Sequence, residues 1–149
     1  MLDRLCDENP DKLSSSDNIE AFTQARYKQS VLRDLDFLLN STSHISPLEV
    51  TEFSEVANSV LCYGPPDLTG RNIGSLIKSE LEIALRETIL KFEPRVIPTS
   101  LEVKLIPDVQ PGKPNIVQFE IQGYLWSNPM PERFMVKTYV DLDTGQFEI

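Results

Sequence analysis

Cysteine and histidine are almost missing from this chain of 149 residues. It has two cysteines, Cys6 and Cys62, and one histidine, His44. Two cysteines are too few for a disulfide scaffold or a cysteine metal centre. His44 stands in the polar segment NSTSHISP, where a lone histidine is far more often solvated than a ligand or a base. We therefore expect no metal and no cofactor.

Positive charge and long apolar runs are also scarce. The chain has 14 Lys and Arg residues against 23 Asp and Glu residues, a net charge of −9. This charge has the wrong sign for binding phosphates, so we expect no nucleic-acid partner. No apolar run approaches the roughly 20 residues that span a bilayer, and MLDRLCDENPDK lacks the features of a secretory signal. The sequence predicts a cytoplasmic protein without direct membrane insertion.

Catalytic motifs are missing as well. The sequence has no Gly-rich phosphate loop, no Gly-x-Ser-x-Gly elbow and no second histidine. Carboxylate pairs can be drawn anywhere in a chain with 23 acidic residues, so they do not define a glycosidase. We expect that the protein is not an enzyme and that it has no catalytic residues.

Composition divides the chain into a short tail and one domain. Residues 1–20 carry six acids and two bases, a net charge of −4, around the low-complexity LSSSDN. We expect residues 1–19 to form an acidic tail that is mobile or docks on another surface. The remaining length is typical of one domain, which we assign to residues 20–149.

Helical periodicity fills the first part of this domain. Apolar residues at spacings of three and four predict helices over about 20–39 and 73–92. A shorter helical piece between them is expected to turn Val60 and Leu61 inward. On the second long helix, Glu82 and Arg86 have the favourable i,i+4 order, which is typical of a solvated face.

The period changes to two after the second helix. Alternating segments around residues 101–105, 117–125 and 134–142 predict three strands, and DLDTGQFEI turns into a short last one. Trp126, near a strand end, is expected in the core or at a half-exposed edge. Helices followed by an antiparallel sheet of about four strands predict an α+β fold with the helices packed on the sheet.

The segment KFEPRVIP marks the change of period. Pro94 disfavours helix at the preceding residue, so we expect the helix to end at Glu93. Glu93 and Arg95 are two apart in an extended segment and so point the same way, which predicts a paired polar feature at the surface. The alternative is an internal ion pair that fastens the helix end to the sheet.

Several segments resemble one family in order along nearly the whole chain. LDRL, YKQSVLRDLDFLLN, NSVLCYGPPDLTG, ILKFEPR and DLDTGQFEI are similar to TssE, the type VI secretion baseplate subunit related to lysozyme-like wedge proteins of phage tails. Two departures are visible. Pro65 replaces the leucine of the family's Tyr-Gly-Leu-Pro-Asp, and Phe37 replaces a tryptophan in the first helix, a change expected to affect packing alone.

The resemblance implies a non-catalytic structural subunit that joins the baseplate wedge to the contractile sheath and helps to initiate sheath assembly. It implies binding to TssF, TssG and TssK in the wedge and to TssB and TssC in the sheath, in a cytoplasmic baseplate docked at the inner membrane. The implied partner-binding residues are Glu93, Pro94 and Arg95 for the wedge core, Tyr63, Gly64, Pro66 and Asp67 in a loop, and Gln146, Phe147, Glu148 and Ile149 for strand pairing with the sheath.

A second function class stays open at this point. The anti-adaptor IraD shares the family's fold, so the chain could instead be a cytoplasmic regulator that binds a response-regulator adaptor. Neighbouring genes distinguish the two, because secretion genes favour a baseplate subunit and an isolated stress-response gene favours a regulator.

Overall fold

The structure, a computed structural model, describes residues 24–43, 54–69, 78–106, 116–127 and 130–148. Three α-helices fall in these ranges: α1 (Gln24–Leu39), α2 (Ser54–Ala57) and α3 (Lys78–Phe92). The acidic tail predicted over residues 1–19, the predicted helical residues 73–77 and the terminal Ile149 lie outside the described residues.

Both long helices follow the apolar spacing of the sequence. The buried apolar residues are Val31, Leu35, Leu38 and Leu39 on α1 and Leu81, Leu85 and Ile89 on α3. Helix α1 ends at Leu39, and the turn at Asn40 follows as predicted. Each helix therefore presents one apolar stripe, which must be buried against another element.

That other element is a four-stranded antiparallel sheet. Its strands are β1 (Glu102–Ile106), β2 (Ile116–Leu125), β3 (Glu132–Asp141) and β4 (Phe147–Glu148), in the order β1-β2-β3-β4. One face alternates into the core, which contains Val103, Phe119, Ile121, Leu125, Phe134, Val136, Val140 and Phe147 together with the apolar stripes of α1 and α3. The predicted α+β fold is confirmed.

Three apolar positions differ from the expectation. Val60 and Leu61 are 81% and 62% exposed, because α2 ends at Ala57 and the following 3₁₀ turn points Cys62 inward instead. Phe37 is 61% exposed, since it lies on α1 between the buried positions 35 and 38 and faces solvent. The replacement at Phe37 therefore changes the surface of the protein and leaves the core unaffected.

The free edge of β1 is covered by charged side chains of α3. Glu82 Oε1 accepts a hydrogen bond from the backbone N–H of Leu105 at 2.7 Å. Arg86 Nε donates to the backbone carbonyl of Leu101 at 3.2 Å. Arg86 is exposed, as the prediction of a solvated face requires, whereas Glu82 is half-buried. Unpaired backbone groups of an edge strand attract polar side chains from a helix packed beside them.

Candidate functional site

The chain turns sharply where α3 meets the sheet. The helix ends at Phe92, and the N–H of Glu93 still donates to the Ile89 carbonyl at 2.8 Å. Residues 93–96 form a turn closed by the Val96 N–H, which donates to the Glu93 carbonyl at 3.2 Å, so the prediction of an extended segment at Glu93 and Arg95 was wrong. From Val96 the chain runs beside the end of β2, where Val96 forms an antiparallel bridge with Leu125. The proline thus ends the helix where the sequence predicted.

Glu93 and Arg95 pair at this turn. Arg95 Nε donates to Glu93 Oε1 at 2.6 Å, its Nη2 bonds the other carboxylate oxygen, and its backbone N–H donates to Oε1 at 3.1 Å. Two parallel guanidinium–carboxylate bonds form a charge-assisted fork, which is the strong arrangement for such a pair. The expected pairing is present, but Glu93 is only 4% exposed, so its carboxylate lies inside the subunit.

Helix α1 completes the site with two residues that the sequence analysis missed. Arg95 Nη1 donates to Ser30 Oγ at 2.9 Å, and Nη2 donates to Asp34 Oδ2 at 2.6 Å. Ser30 and Asp34 are four residues apart and each precedes a buried apolar residue of α1, so a polar pair beside the apolar stripe was the available signal. We call Ser30, Asp34, Glu93 and Arg95 the Arg95 cluster.

The electrostatics of the Arg95 cluster are those of a permanent charge. The hydrogen bond to Glu93 raises the pKa of Arg95 above its ordinary value, burial opposes this, and the bond to Asp34 adds to it. The guanidinium therefore stays charged at every physiological pH and exchanges no proton. Such a cluster can hold elements of the fold together.

Two tyrosines flank the Arg95 cluster. Burial raises the pKa of Tyr27, with opposing contributions from Arg95 and Glu93. Burial also raises the pKa of Tyr63, with smaller contributions from Asp34 and Glu93. The Tyr63 ring meets the Phe92 ring edge-on, with 5.1 Å between centroids. The structure thus brings Tyr63, one of the predicted loop residues, to the turn at Glu93.

The rest of the predicted loop packs on the end of α1. Gly64 is buried at a φ of 110°, and a Cβ there would lie 1.8 Å from the Ser41 carbonyl oxygen. Pro66 bridges to Ser43. Asp67 is exposed and accepts a hydrogen bond from the Thr69 N–H at 2.8 Å. Glycine is required at residue 64 because a positive φ and a close backbone approach coincide there.

The predicted terminal strand is present at the sheet edge beyond β3, but it begins at Phe147 and leaves Gln146 in the preceding turn region. Gln146 and Glu148 are exposed, whereas Phe147 is buried and pairs with Val140. The Phe147 N–H donates to Asn40 Oδ1 at 2.9 Å, and Asn40 Nδ2 donates to the Phe147 carbonyl at 3.1 Å. The Asn40 side-chain amide thus forms hydrogen bonds with both backbone groups of Phe147 that face away from β3. Ile149 lies outside the described residues.

The described residues contain no metal-holding group and no membrane-spanning helix. Among them, no group of three or more His, Cys, Asp or Glu residues could hold a metal ion. No helix in the same ranges combines the length and the apolarity needed to cross a membrane. Fold and site together define a small α+β protein whose charged cluster fastens one helix to the junction of another with the sheet.

Comparison with protein-family models identifies the family. Residues 25–130 match the model described as baseplate wedge protein gp25. Because the match spans more than half of the chain, the chain belongs to the gp25 family of baseplate wedge proteins. The family resemblance expected from the sequence is confirmed, and it implies a structural role in a phage-like baseplate, in contact with other baseplate components. No significant match was found among curated proteins or among solved structures.

Proposed function

We propose that this chain is a non-catalytic subunit of a type VI secretion baseplate. In this role it joins the wedge complex to the contractile sheath and helps to initiate sheath assembly. The observation that carries the proposal is the family match over residues 25–130. The type VI assignment is supported by the TssE-like segments, which occur in order along nearly the whole chain.

The proposed wedge contact is the turn at Glu93, Pro94 and Arg95, with Tyr63 to Asp67 beside it. TssF and TssG are the proposed partners there, with TssK nearby. Pro94 is exposed, and the Arg95 side chain retains 19% of its exposure. Because three acceptor side chains fix the guanidinium, a partner would meet a preorganised surface and lose little side-chain entropy on binding.

The proposed sheath contact is the β4 edge, to which a strand of TssB or TssC would add. Edge strands accept a further strand through their free backbone groups. At Phe147 those groups are bonded to Asn40, so strand addition at this point requires the Asn40 side chain to move away. We propose a cytoplasmic baseplate docked at the inner membrane as the setting.

The experiment that tests this function is retention on the purified TssF–TssG complex. We expect the wild-type chain to be retained, and Glu93→Ala and Arg95→Ala to weaken retention and to reduce sheath formation in cells. Arg33→Ala is the matched control, because Arg33 pairs with Asp34 from the exposed side. Full retention of both variants with normal sheaths would reject the proposed contact. Retention on a response-regulator adaptor instead would favour the anti-adaptor class.

A further inference from the structure

A partner that binds at this turn must contact side chains other than Glu93. The Glu93 side chain is 4% exposed and that of Arg95 is 19% exposed. Immediately beside them lies Trp126, which is 66% exposed. The backbone N–H of Trp126 donates to the Arg95 carbonyl at 2.8 Å, and the Tyr27 hydroxyl donates to the Trp126 backbone carbonyl at 2.7 Å. The expectation of a core or half-exposed tryptophan was wrong, because alternation along β2 points Leu125 inward and Trp126 outward.

Trp126 belongs to an exposed patch on the outer face of the sheet. Tyr124 precedes it by two residues and therefore points to the same face. The cross-strand partner of Tyr124 is Arg133, and Met135 lies diagonally beside it. Tyr124 and Met135 are 45% and 49% exposed. We call Tyr124, Trp126, Arg133 and Met135 the Trp126 surface, and aromatic residues, methionine and arginine are the types enriched at interface centres.

Two cations lie at this surface, although the whole chain is acidic. Lys28 Nζ donates to the Arg133 carbonyl at 3.3 Å, and Arg133 Nη2 donates to Gln122 Oε1 at 3.1 Å. In the described part of the chain neither cation forms an ion pair with a carboxylate. A protein of net charge −9 therefore presents two cations beside exposed aromatic side chains. Such a surface complements apolar groups flanked by carboxylates.

We propose that the Trp126 surface is where this subunit is buried against another wedge protein, and that its occupant is an apolar segment flanked by acidic residues. The inference rests on the proposed baseplate function and names its contact residues. Glu93 and Arg95 are positioning residues, because their side chains fix the turn whose backbone carbonyl, that of Arg95, accepts a hydrogen bond from Trp126. Trp126 makes the contact itself, as a large side chain whose backbone is fixed on both sides and which loses little entropy on binding.

The first test measures affinity for the purified TssF–TssG complex, using the full chain. Trp126→Ala is expected to weaken binding by about tenfold or more. Phe37→Ala is the matched control, because Phe37 is an aromatic of similar exposure, 61%, on α1. It is expected to bind as the wild type does. Both variants should keep the wild-type melting temperature, since neither side chain is in the core.

Arg133→Glu tests the charge of the proposed occupant. Reversal should weaken binding, and added salt should reduce the affinity of the variant less than that of the wild type. Unchanged affinity and salt dependence would overturn the acidic occupant.

A second readout follows from Trp126 being the only tryptophan in the chain. Labelling with 5-fluorotryptophan gives one ¹⁹F resonance, which should shift when unlabelled TssF–TssG is added. A wild-type chain that binds without moving this resonance, together with full binding by Trp126→Ala, would overturn the inference and leave the proposed function intact. Failure of the wild-type chain to bind at all would overturn both.

The chain's own acidic residues 1–19 are the rival occupant. If they cover Trp126, deleting them should shift the resonance of the free subunit, and that result would overturn the partner proposal. An unchanged resonance supports it. An unchanged melting temperature verifies that the chain without residues 1–19 is folded.

Discussion

Helix α1 is held at two places, and the chemistry differs between them. At its middle, Ser30 and Asp34 bind the guanidinium of Arg95, which is also paired with the buried Glu93. At its C-terminal end, the Asn40 amide bonds both edge-facing backbone groups of Phe147. The Gly64 backbone also packs against the Ser41 carbonyl there. Asp34 and Asn40 lie about 9 Å apart along the helix axis.

The two attachments differ in how easily they can be broken. Removing Arg95 leaves the buried Glu93 carboxylate without its counter-charge, and removing Glu93 takes away the fork that holds Arg95, so this pair holds or fails as a unit. The Asn40 bonds lie at a sheet edge, where water or another strand can replace them. The Arg95 cluster therefore fixes α1 against the turn at Glu93, while the β4 edge can be uncovered without unfolding the protein.

Gly64→Ala is expected to have the largest effect on the end of α1. The new Cβ would lie 1.8 Å from the Ser41 carbonyl oxygen, at a φ of 110° that L-residues rarely adopt. Backbone strain and a clash with backbone atoms should together lower the free energy of unfolding by about 4 kcal/mol. Urea unfolding followed by circular dichroism measures this difference.

Gly145→Ala is the matched control for that variant. Gly145 has a φ of 72°, and among the described residues its new Cβ would meet the Thr69 hydroxyl alone, at 2.7 Å, which can rotate away. The expected cost is about 1 kcal/mol. If both variants lose the same free energy of unfolding, the close approach of the Ser41 backbone to Gly64 does not contribute to the cost of Gly64→Ala.

Arg95→Ala breaks the charged attachment and should rank next. It leaves the Glu93 carboxylate buried without its counter-charge, which typically costs about 3 to 5 kcal/mol. The second partner of Arg95, Asp34, has a side chain that is 35% exposed, so water can solvate its charge in the variant. We therefore expect the lower end of this range, about 3 kcal/mol. Thermal or urea unfolding of the purified variant provides the measurement.

Two further variants separate stranded charge from lost contacts. Arg33→Ala removes an exposed partner of Asp34 and should change stability by less than about 0.5 kcal/mol. Glu93→Leu combined with Arg95→Met removes both charges of the pair and should be more stable than Arg95→Ala alone. A double variant as unstable as the single one would show that the stranded charge is not the cause.

The regular elements of the subunit could be predicted because their signals are local. The apolar spacing of α1 and α3, the stop at Asn40 and the alternation of β2 and β3 each lie within one short segment. Pro94 likewise marks its turn by its own covalent geometry. The position of the Glu93–Arg95 pair followed from these local rules.

The partners of those residues could not be predicted from local signals. Arg95 meets Ser30 and Asp34 across more than 60 positions, and Asn40 meets Phe147 across more than 100. Such contacts depend on how α1 docks on the sheet, which periodicity alone does not define. The exposure of Trp126 has the same origin, because it depends on which face of the sheet the helices cover.

Asn40→Ala removes the neutral attachment at the end of α1. It should lower the free energy of unfolding by less than Gly64→Ala or Arg95→Ala does. The Phe147 backbone groups lose two hydrogen bonds, but water at the sheet edge replaces them, so we expect a loss of about 1 kcal/mol. The Phe147 N–H should exchange with solvent faster, as measured by hydrogen–deuterium exchange. If the β4 edge accepts sheath strands, this variant should bind them at least as well as the wild type.

Asn40→Asp is the informative comparison for this edge. A carboxylate can still accept from the Phe147 N–H, but it cannot donate to the Phe147 carbonyl and it would face the Asp36 carboxylate, to which Asn40 Nδ2 donates at 2.9 Å. Exchange at Phe147 should therefore be faster than in the wild type. Wild-type exchange in the alanine variant would mean that the Asn40 bonds do not protect the edge.

The smallest expected effect is the pH dependence that comes from ionisation of Tyr27, beside the charged attachment, and it appears only in alkali. Burial raises the pKa of Tyr27 above its ordinary value of 10.0. The unfolded chain therefore loses this proton first. The contribution of Tyr27 to the free energy of unfolding is complete below about pH 10 and declines as pH rises towards the folded-state pKa.

Tyr27→Phe removes the hydrogen bond to Trp126 and costs about 1 kcal/mol at neutral pH. Because the variant has no phenol to ionise, its free energy of unfolding should fall less steeply above pH 10, as measured by urea unfolding at successive pH values. Tyr63 has a pKa shift in the same direction, so the double variant with Tyr63→Phe should be flatter still, and parallel curves for all three proteins would contradict this account of the tyrosines.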